Sequence, residues 1–257
     1  MEYRYLTITR EKHIATVMLN RPEKLNTLNV DMMNEIIQVA DELQQDEQTR
    51  VVIFTGAGRH FSGGVDLTDI RQIKVMTEGS LLMKSRYLKI GPKLIRAVYE
   101  ISQITIAALN GAALGGGACI AAACDFRIGA EDCRVGYPEV NLGMNLSWGA
   151  LPMCVNLIGP SRAKRMVILA QQENARTLLD WGFLDEVVPG DQLLFRAVEM
   201  AETYAAQPPV AAQMVKQSVN ALSSSLQQAI MHMDTDQYLL AAHSEDFAER
   251  IQAFFKK

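Results

Sequence analysis

Apolar and polar residues alternate over residues 3–8 and again over 13–19, a period of two that predicts two strands with residues 9–12 as the turn between them. The period then changes. Over residues 30–45, Met33, Ile36, Ile37, Ala40 and Leu43 fall on one face at helical spacing, which predicts an amphipathic helix. Residues 51–55, VVIFT, form an unbroken apolar run, as expected of a parallel strand buried on both faces. A helix over 79–102 leads into a strand over 105–109, and short strands are predicted at 126–129 and 134–136. Strands alternating with helices argue for an α/β fold with parallel strands. Beyond Gly149 the periodicity turns helical, with candidates at 151–158, 161–169, 175–181, 192–206, 210–222, 226–240 and 244–255. The sheet thus belongs to the first part of the chain and the last third reads as all-helical. The 13 methionines suit adaptable helical packing there.

The stretch 107–149 concentrates the candidate chemistry. A run of small residues ends in Gly115, Gly116 and Gly117 and opens an apolar helix that carries Cys119 and Cys124. Glycines at a helix start bring backbone N–H groups close to a ligand. Then comes Glu139, after Pro138, with no further acid until Glu173. A lone carboxyl in apolar surroundings suits proton transfer. Together these predict a site that stabilises an oxyanion and moves a proton. Taken singly, each glycine cluster is better explained by a tight turn or close packing, and Glu139 by the role of an ordinary acid at a helix start. A second glycine pair lies in 59–67, RHFSGGVDL.

Composition removes several classes. At 257 residues, 49% hydrophobic and 21% charged, the chain suits one sizeable domain, or a domain with a helical appendage. A net charge of −4 and the lack of a basic run give no support for nucleic-acid binding. The first residues are charged throughout, without an apolar signal core. Residues 104–123 come nearest to a membrane span, but Asn110 and the glycines point to a packed interior, so no membrane partner is expected. Cys119, Cys124, Cys133 and Cys154 lack zinc-ligand spacing and disulfide density, and read as reduced thiols of a cytoplasmic protein with no metal.

Five segments in this order resemble the crotonase superfamily, the enoyl-CoA hydratase/isomerase family. They are LNRPEKLNTLN (19–29), VVIFTGAGRHFSGGVDL (51–67), ALNGAALGGGACIAAACDFRI (108–128), VGYPEVNLGM (135–144) and the stretch 175–189 that ends GFLDEVVP. The resemblance covers nearly the whole chain, and its specificity lies in the order of the motifs. It implies an α/β fold, a crotonase-like spiral of ββα units over residues 1–190, with a C-terminal helical region over 191–257 that builds trimers or hexamers. It also implies a thioester of coenzyme A as substrate and no separate cofactor. The amides of Val65 and Gly116 match the family's oxyanion hole, which stabilises the enolate oxygen.

Hydratases of the family carry two glutamates. This sequence matches the second as Glu139 and has Cys119 where the first would stand. A thiol is a poor hydrogen-bond partner and no substitute for a carboxylate base. The Δ3,Δ2-enoyl-CoA isomerases of the family work with one glutamate at the position of Glu139, which moves a proton from C2 to C4. The segment after Glu139 resembles theirs, with Leu142, Met144, Leu146 and Trp148 expected to raise the Glu139 pKa and exclude water. Dienoyl-CoA isomerases use acids where this chain has Cys119 and Ser147. No base neighbours Cys119 in sequence, so it reads as an inert buried thiol.

By the same matching, Arg59 stands where the family often has a base that meets the coenzyme A phosphates, although a solvated surface charge accounts for it as well. Lys24 and Leu25 lie in the loop that meets the adenine, and Gly64, Asp66, Leu67 and Gly115 flank the oxyanion amides. Phe247 and Lys256 are candidates for contacts from a neighbouring subunit, and His60 reads as structural. Residues 69–93 are expected to shape the acyl pocket. Three activities follow: double-bond isomerisation, with Glu139 as base; hydration or another thioester reaction of the family; and a silent acyl-CoA-binding subunit.

Overall fold

The computed structural model describes residues 3–224 and 233–256. Six strands form the main sheet: β1 (Leu6–Glu11), β2 (Ile14–Leu19), β3 (Val51–Gly56), β4 (Ile104–Leu109), β6 (Phe126–Ala130) and β9 (Glu186–Val188), in that spatial order. The hairpin β1-β2 is antiparallel, and every later pairing in this sheet is parallel. A small second sheet holds β5 (Ala112–Leu114), β7 (Arg134–Gly136) and β8 (Gln172–Asn174). The chain steps from β4 to β5 and then into the helix α5 (Gly116–Ala123), one complete turn of a ββα spiral. From α5 it returns to β6 beside β4 and steps again to β7 beside β5.

All six residues of β3 are buried, as its apolar run requires. Helix α1 (Val30–Gln44) turns Met32, Met33, Ile36, Ile37, Val39, Ala40 and Leu43 inward and packs against α4 (Ile90–Tyr99). Its start is fixed by Asn29, whose Oδ1 accepts the Met32 N–H at 2.9 Å. Helix α9 (Leu193–Ala205) lies across β2, β3, β4 and β6. All eight residues of α5 are buried. Its glycines and alanines let it fit between α4, β4, β5 and α6 (Ala150–Ile158).

Several sequence expectations need correction. The first turn is two residues, Lys12 and His13, not 9–12: the register pairs Glu11 with Ile14, and Lys12 takes a left-handed φ of 52°. The single helix expected over 79–102 is divided. Helices α2 (Ile70–Glu78) and α3 (Leu81–Leu88) precede α4, and their starts are set by Asp69 and Ser80, which accept the N–H of Arg71 and Met83. The region after Gly149 is not all-helical, because β8 joins the small sheet and β9 extends the main one. Three-residue strands show no period. Here β9 is set by Asp185, whose N–H donates to Arg127 O at 2.9 Å and whose Oδ2 accepts the Arg127 N–H at 2.7 Å. Helices α7 (Pro160–Ile168), α8 (Ala175–Trp181) and α10 (Pro209–Ser224) match their expected spans closely. Of the helix expected over 226–240, residues 226–232 lie outside the described residues, and α11 (Asp234–Ala241) forms the remainder; α12 (Glu245–Phe255) follows. Among the described residues no helix is long and apolar enough to cross a membrane.

Candidate active site

Three loops are stitched together on one side of α5. Leu28 bridges Val65 in parallel, and Ser62 bridges Ala113. The first bridge is made by Leu28 N–H to Gly64 O at 2.7 Å and Asp66 N–H to Leu28 O at 3.0 Å. The second is made by Ser62 N–H to Ala112 O at 3.0 Å and Leu114 N–H to Ser62 O at 2.9 Å. Buried Asn26, left-handed at φ 52°, donates through Nδ2 to the carbonyls of Ala57 and His60 and accepts the Arg21 N–H on Oδ1. Arg21 Nη1 donates to Asp66 Oδ2 at 2.6 Å and to Thr27 O at 3.1 Å. Sequence reasoning singled out neither Asn26 nor the Arg21–Asp66 pair, because each acts only through distant loops.

In a parallel bridge the partner residue directs its own N–H away. The Val65 N–H therefore points out of the Leu28 pairing and has no hydrogen-bond partner among the described residues. Gly116 is the first residue of α5, so its N–H has no partner in the helix, and it has none elsewhere among the described residues. The two peptides adjoin: a Cβ on Gly64 would lie 3.6 Å from Gly116 N. Glycine is required at Gly64, where φ is 92° and an added methyl would meet Leu114 O at 2.8 Å. Gly115, at φ 50° and ψ −119°, turns the chain into α5, and Val65 and Gly116 line the same cavity.

Glu139 begins a short 3-10 turn (Glu139–Leu142) closed by Gly143 at φ 73°. A methyl on Gly115 would lie 3.0 Å from Glu139 Oε1, so the carboxyl sits directly beside the glycine run. Its other oxygen, Oε2, is closed from solvent and has no hydrogen-bond partner. Burial pushes this carboxyl up to about 7. Cys119 adjoins it, 2% exposed. Burial, then the Glu139 charge, hold the Cys119 thiol well above its usual range, so it stays protonated and inert.

These groups border one cavity of about 720 Å³. Val65, Gly116 and Glu139 line it, as do Lys24, Leu25, Gly64, Asp66, Leu67, Gly115, Cys119, Leu142 and Trp148. Met144, Leu146 and Ser147 complete the apolar side expected near Glu139. Arg59 is the exception. It is exposed and does not line the cavity, on a turn pinned by Asn110, whose Nδ2 donates to Gly58 O at 2.9 Å. Exposed Lys24 is the cation at the cavity mouth. Asp66 faces the cavity but is committed to the loops: burial alone would raise its carboxyl, yet Thr68 and Arg21 hold it below the usual range. Residues 69–93 contribute Gln72, Tyr87, Leu88 and Gly91 to the lining. The C-terminal helices contribute Tyr238 and Phe254, which sequence reasoning did not select, whereas Lys256 is exposed outside it. Phe247 packs edge-to-face on Tyr238 and against Gly143. His60 stays at the turn, with Nδ1 buried and unpartnered, and does not line the cavity. Two free amides and one proton-holding carboxyl on a largely apolar cavity can bind a developing oxyanion and shuttle a proton beside it.

The sequence model of the enoyl-CoA hydratase/isomerase family matches residues 9–257. Among curated proteins, the short-chain-enoyl-CoA hydratase of Clostridium acetobutylicum is 31% identical over 258 residues, covering 100% of this chain and 97% of that protein. The 1,2-epoxyphenylacetyl-CoA isomerase of Escherichia coli is 30% identical, covering 96% of this chain and 94% of that one. Among solved structures, an enoyl-CoA hydratase/isomerase from Xanthobacter autotrophicus superposes with a TM-score of 0.89 at 28% identity, over 99% of this chain and 93% of that chain. Both sheets, the spiral between them and the C-terminal helices are those of this fold, and the chain belongs to the enoyl-CoA hydratase/isomerase family.

Proposed function

We propose that this enzyme shifts the double bond of a 3-enoyl-CoA to the 2-position by one-base proton transfer. The observation that carries the reading is the number of available carboxylates. Three acids line the cavity among the described residues. Glu23 sits at the exposed mouth, and Asp66 is held by Arg21 and Thr68. Glu139 is the one of the three that is buried beside the glycine run without an ion pair, and the position two residues after that run holds Cys119. Water addition needs a nucleophile held and deprotonated while a proton is returned to the substrate. A single base suits a reaction without water.

The thioester oxygen accepts the N–H groups of Val65 and Gly116. Glu139 removes a proton from C2, and the electron pair moves into a dienolate whose charge rests on that oxygen. The protonated carboxyl then returns the same proton at C4, and the double bond settles between C2 and C3. No water is consumed and Glu139 ends as it began. A base with a pKa near the working pH serves both halves of such a cycle.

The second reading is addition of water to a 2-enoyl-CoA, which the names of relatives such as the Clostridium acetobutylicum hydratase favour. Purified protein offered 3-hexenoyl-CoA and crotonyl-CoA, with products resolved by mass, separates the two. The isomerase reading expects 2-hexenoyl-CoA and no water gain on crotonyl-CoA. Rapid water gain would overturn it. Binding of both thioesters without turnover would mean either that the acyl group is the wrong one or that the site is silent.

The pH dependence follows from the Glu139 carboxyl at about 7, because only its ionised form takes the C2 proton. The kcat/KM for isomerisation rises about tenfold per pH unit below that value and levels above it. A pH–rate profile that is flat between about 5.5 and 8.5 would remove the base role from Glu139.

A further inference from the structure

The segment from Glu139 to Gly149 is held from outside by the C-terminal helices. Phe247 of α12 lies against Gly143, where an added methyl would sit 2.8 Å from Phe247 Cα. Asn145 Nδ2 donates to Gln237 Oε1 of α11 at 3.3 Å. At the far end, the Gly149 N–H donates to Asp234 Oδ2 at 2.6 Å. Asp234 is only 5% exposed, and a carboxylate acceptor makes this bond stronger than a neutral one. It falls where the backbone is least able to hold itself. Trp148 and Gly149 are consecutive left-handed residues, at φ 65° and 69°, and the first is a bulky side chain for which that region is strained. Gly149 precedes α6 and no side chain caps that helix, so Asp234 supplies the anchor that the local sequence lacks.

The corner aims the Trp148 indole into the active site. A methyl on Gly116 would lie 2.7 Å from its Cζ3, and one on Gly91 of α4 would overlap the ring. The indole is therefore wedged between α4 and the first residue of α5, on the cavity that holds Glu139. We propose that Asp234 is a positioning residue: by accepting the Gly149 N–H it fixes the left-handed corner that aims Trp148, and with it the apolar wall beside Glu139. The inference rests on this cavity being the reaction site, and not on which thioester reaction it catalyses.

The chain has two tryptophans, so Trp181→Phe leaves Trp148 as the sole reporter. In that background Asp234→Ala is expected to red-shift the Trp148 emission, increase its quenching by acrylamide and lower kcat by about tenfold to a hundredfold. Asp234→Asn, whose amide oxygen can accept the same N–H, keeps the parent emission and most of kcat. A lesion that is only structural would lower the thermal midpoint of both variants without that split. Should Asp234→Ala fail to fold, Asp234→Ser replaces it, since its hydroxyl is too short to span to Gly149. The inference is overturned by parent-like emission and kcat in a folded variant, and equally by shifted emission with unchanged kcat. If the parent turns over no thioester, emission and crotonyl-CoA binding decide together: a red shift with weakened binding supports the inference, and unchanged values reject it.

Discussion

Glu139→Gln is expected to lower kcat by about 10²–10⁴-fold, the usual contribution of a general base. The amide has nearly the volume of the carboxyl, so it fits the space beside Gly115, where Oε1 now lies within van der Waals reach of an added methyl. It cannot take the C2 proton. On the proposed reading the thioester keeps its two amide donors at Val65 and Gly116, so its dissociation constant stays within severalfold of the parent value. Steady-state rates set beside calorimetric binding of the same thioester make the comparison. A variant that still isomerises at a tenth of the parent rate or better would remove Glu139 from the base role.

The same substitution reports on stability, with a definite sign. A carboxyl at about 7 in the folded chain, against an ordinary value of 4.5, binds its proton more tightly folded than unfolded. That contribution is complete below about 4.5 and is lost as pH rises towards 7, at a cost of up to about 3 kcal/mol. Glutamine carries no such charge. The Glu139→Gln variant should therefore lose less stability than the parent between pH 5 and pH 8. Denaturant midpoints at the two pH values measure the difference, and parallel curves would mean that Glu139 ionises as readily in the fold as in water.

Much of this site is visible in the sequence because its chemistry is local. The glycine run, the Ser-Gly-Gly loop and the Pro-Glu turn are contiguous motifs, and the structure brings all three to one cavity. What the sequence conceals is the work of residues that act at a distance. Arg21 and Asp66 are 45 positions apart and join two loops through one ion pair. Asp234 reaches Gly149 across 85 positions. No periodicity records such pairs. Short strands are hidden for a related reason: β8 and β9 have three residues each, and pairing rather than propensity decides them. The helix expected over 79–102 is divided at Lys89, where no side chain caps the start of α4, so the sequence carries no mark of the break; Asp69 and Ser80 mark only the starts of α2 and α3. Arg59 is legible only as a motif position, and its side chain is exposed.

Gly64→Ala is expected to lower kcat by about 10²–10³-fold, close to the loss of one oxyanion donor. The added methyl meets Leu114 O at 2.8 Å, and that carbonyl belongs to the strand leading directly into Gly115 and Gly116. It also forces an L side chain to φ 92°. Backbone blocks both escapes, so the Val65 and Gly116 amides must separate. Gly116→Ala makes a useful contrast. Its methyl would meet side-chain atoms rather than backbone, Trp148 Cζ3 at 2.7 Å and Leu28 Cδ1 at 3.0 Å; Leu28 can turn aside, while the indole, packed on Gly91, is displaced. The smaller loss of kcat is therefore expected there, with a disturbed Trp148 emission. Charge builds on the thioester oxygen only as the C2 proton leaves, so in Gly64→Ala kcat should fall much further than KM rises. Exchange of the C2 protons of butyryl-CoA in deuterated buffer reads enolate formation without any double-bond shift, and should fall in step with kcat. A folded Gly64→Ala enzyme with exchange within about threefold of the parent would exclude these amides as the oxyanion donors, since losing either costs more than that.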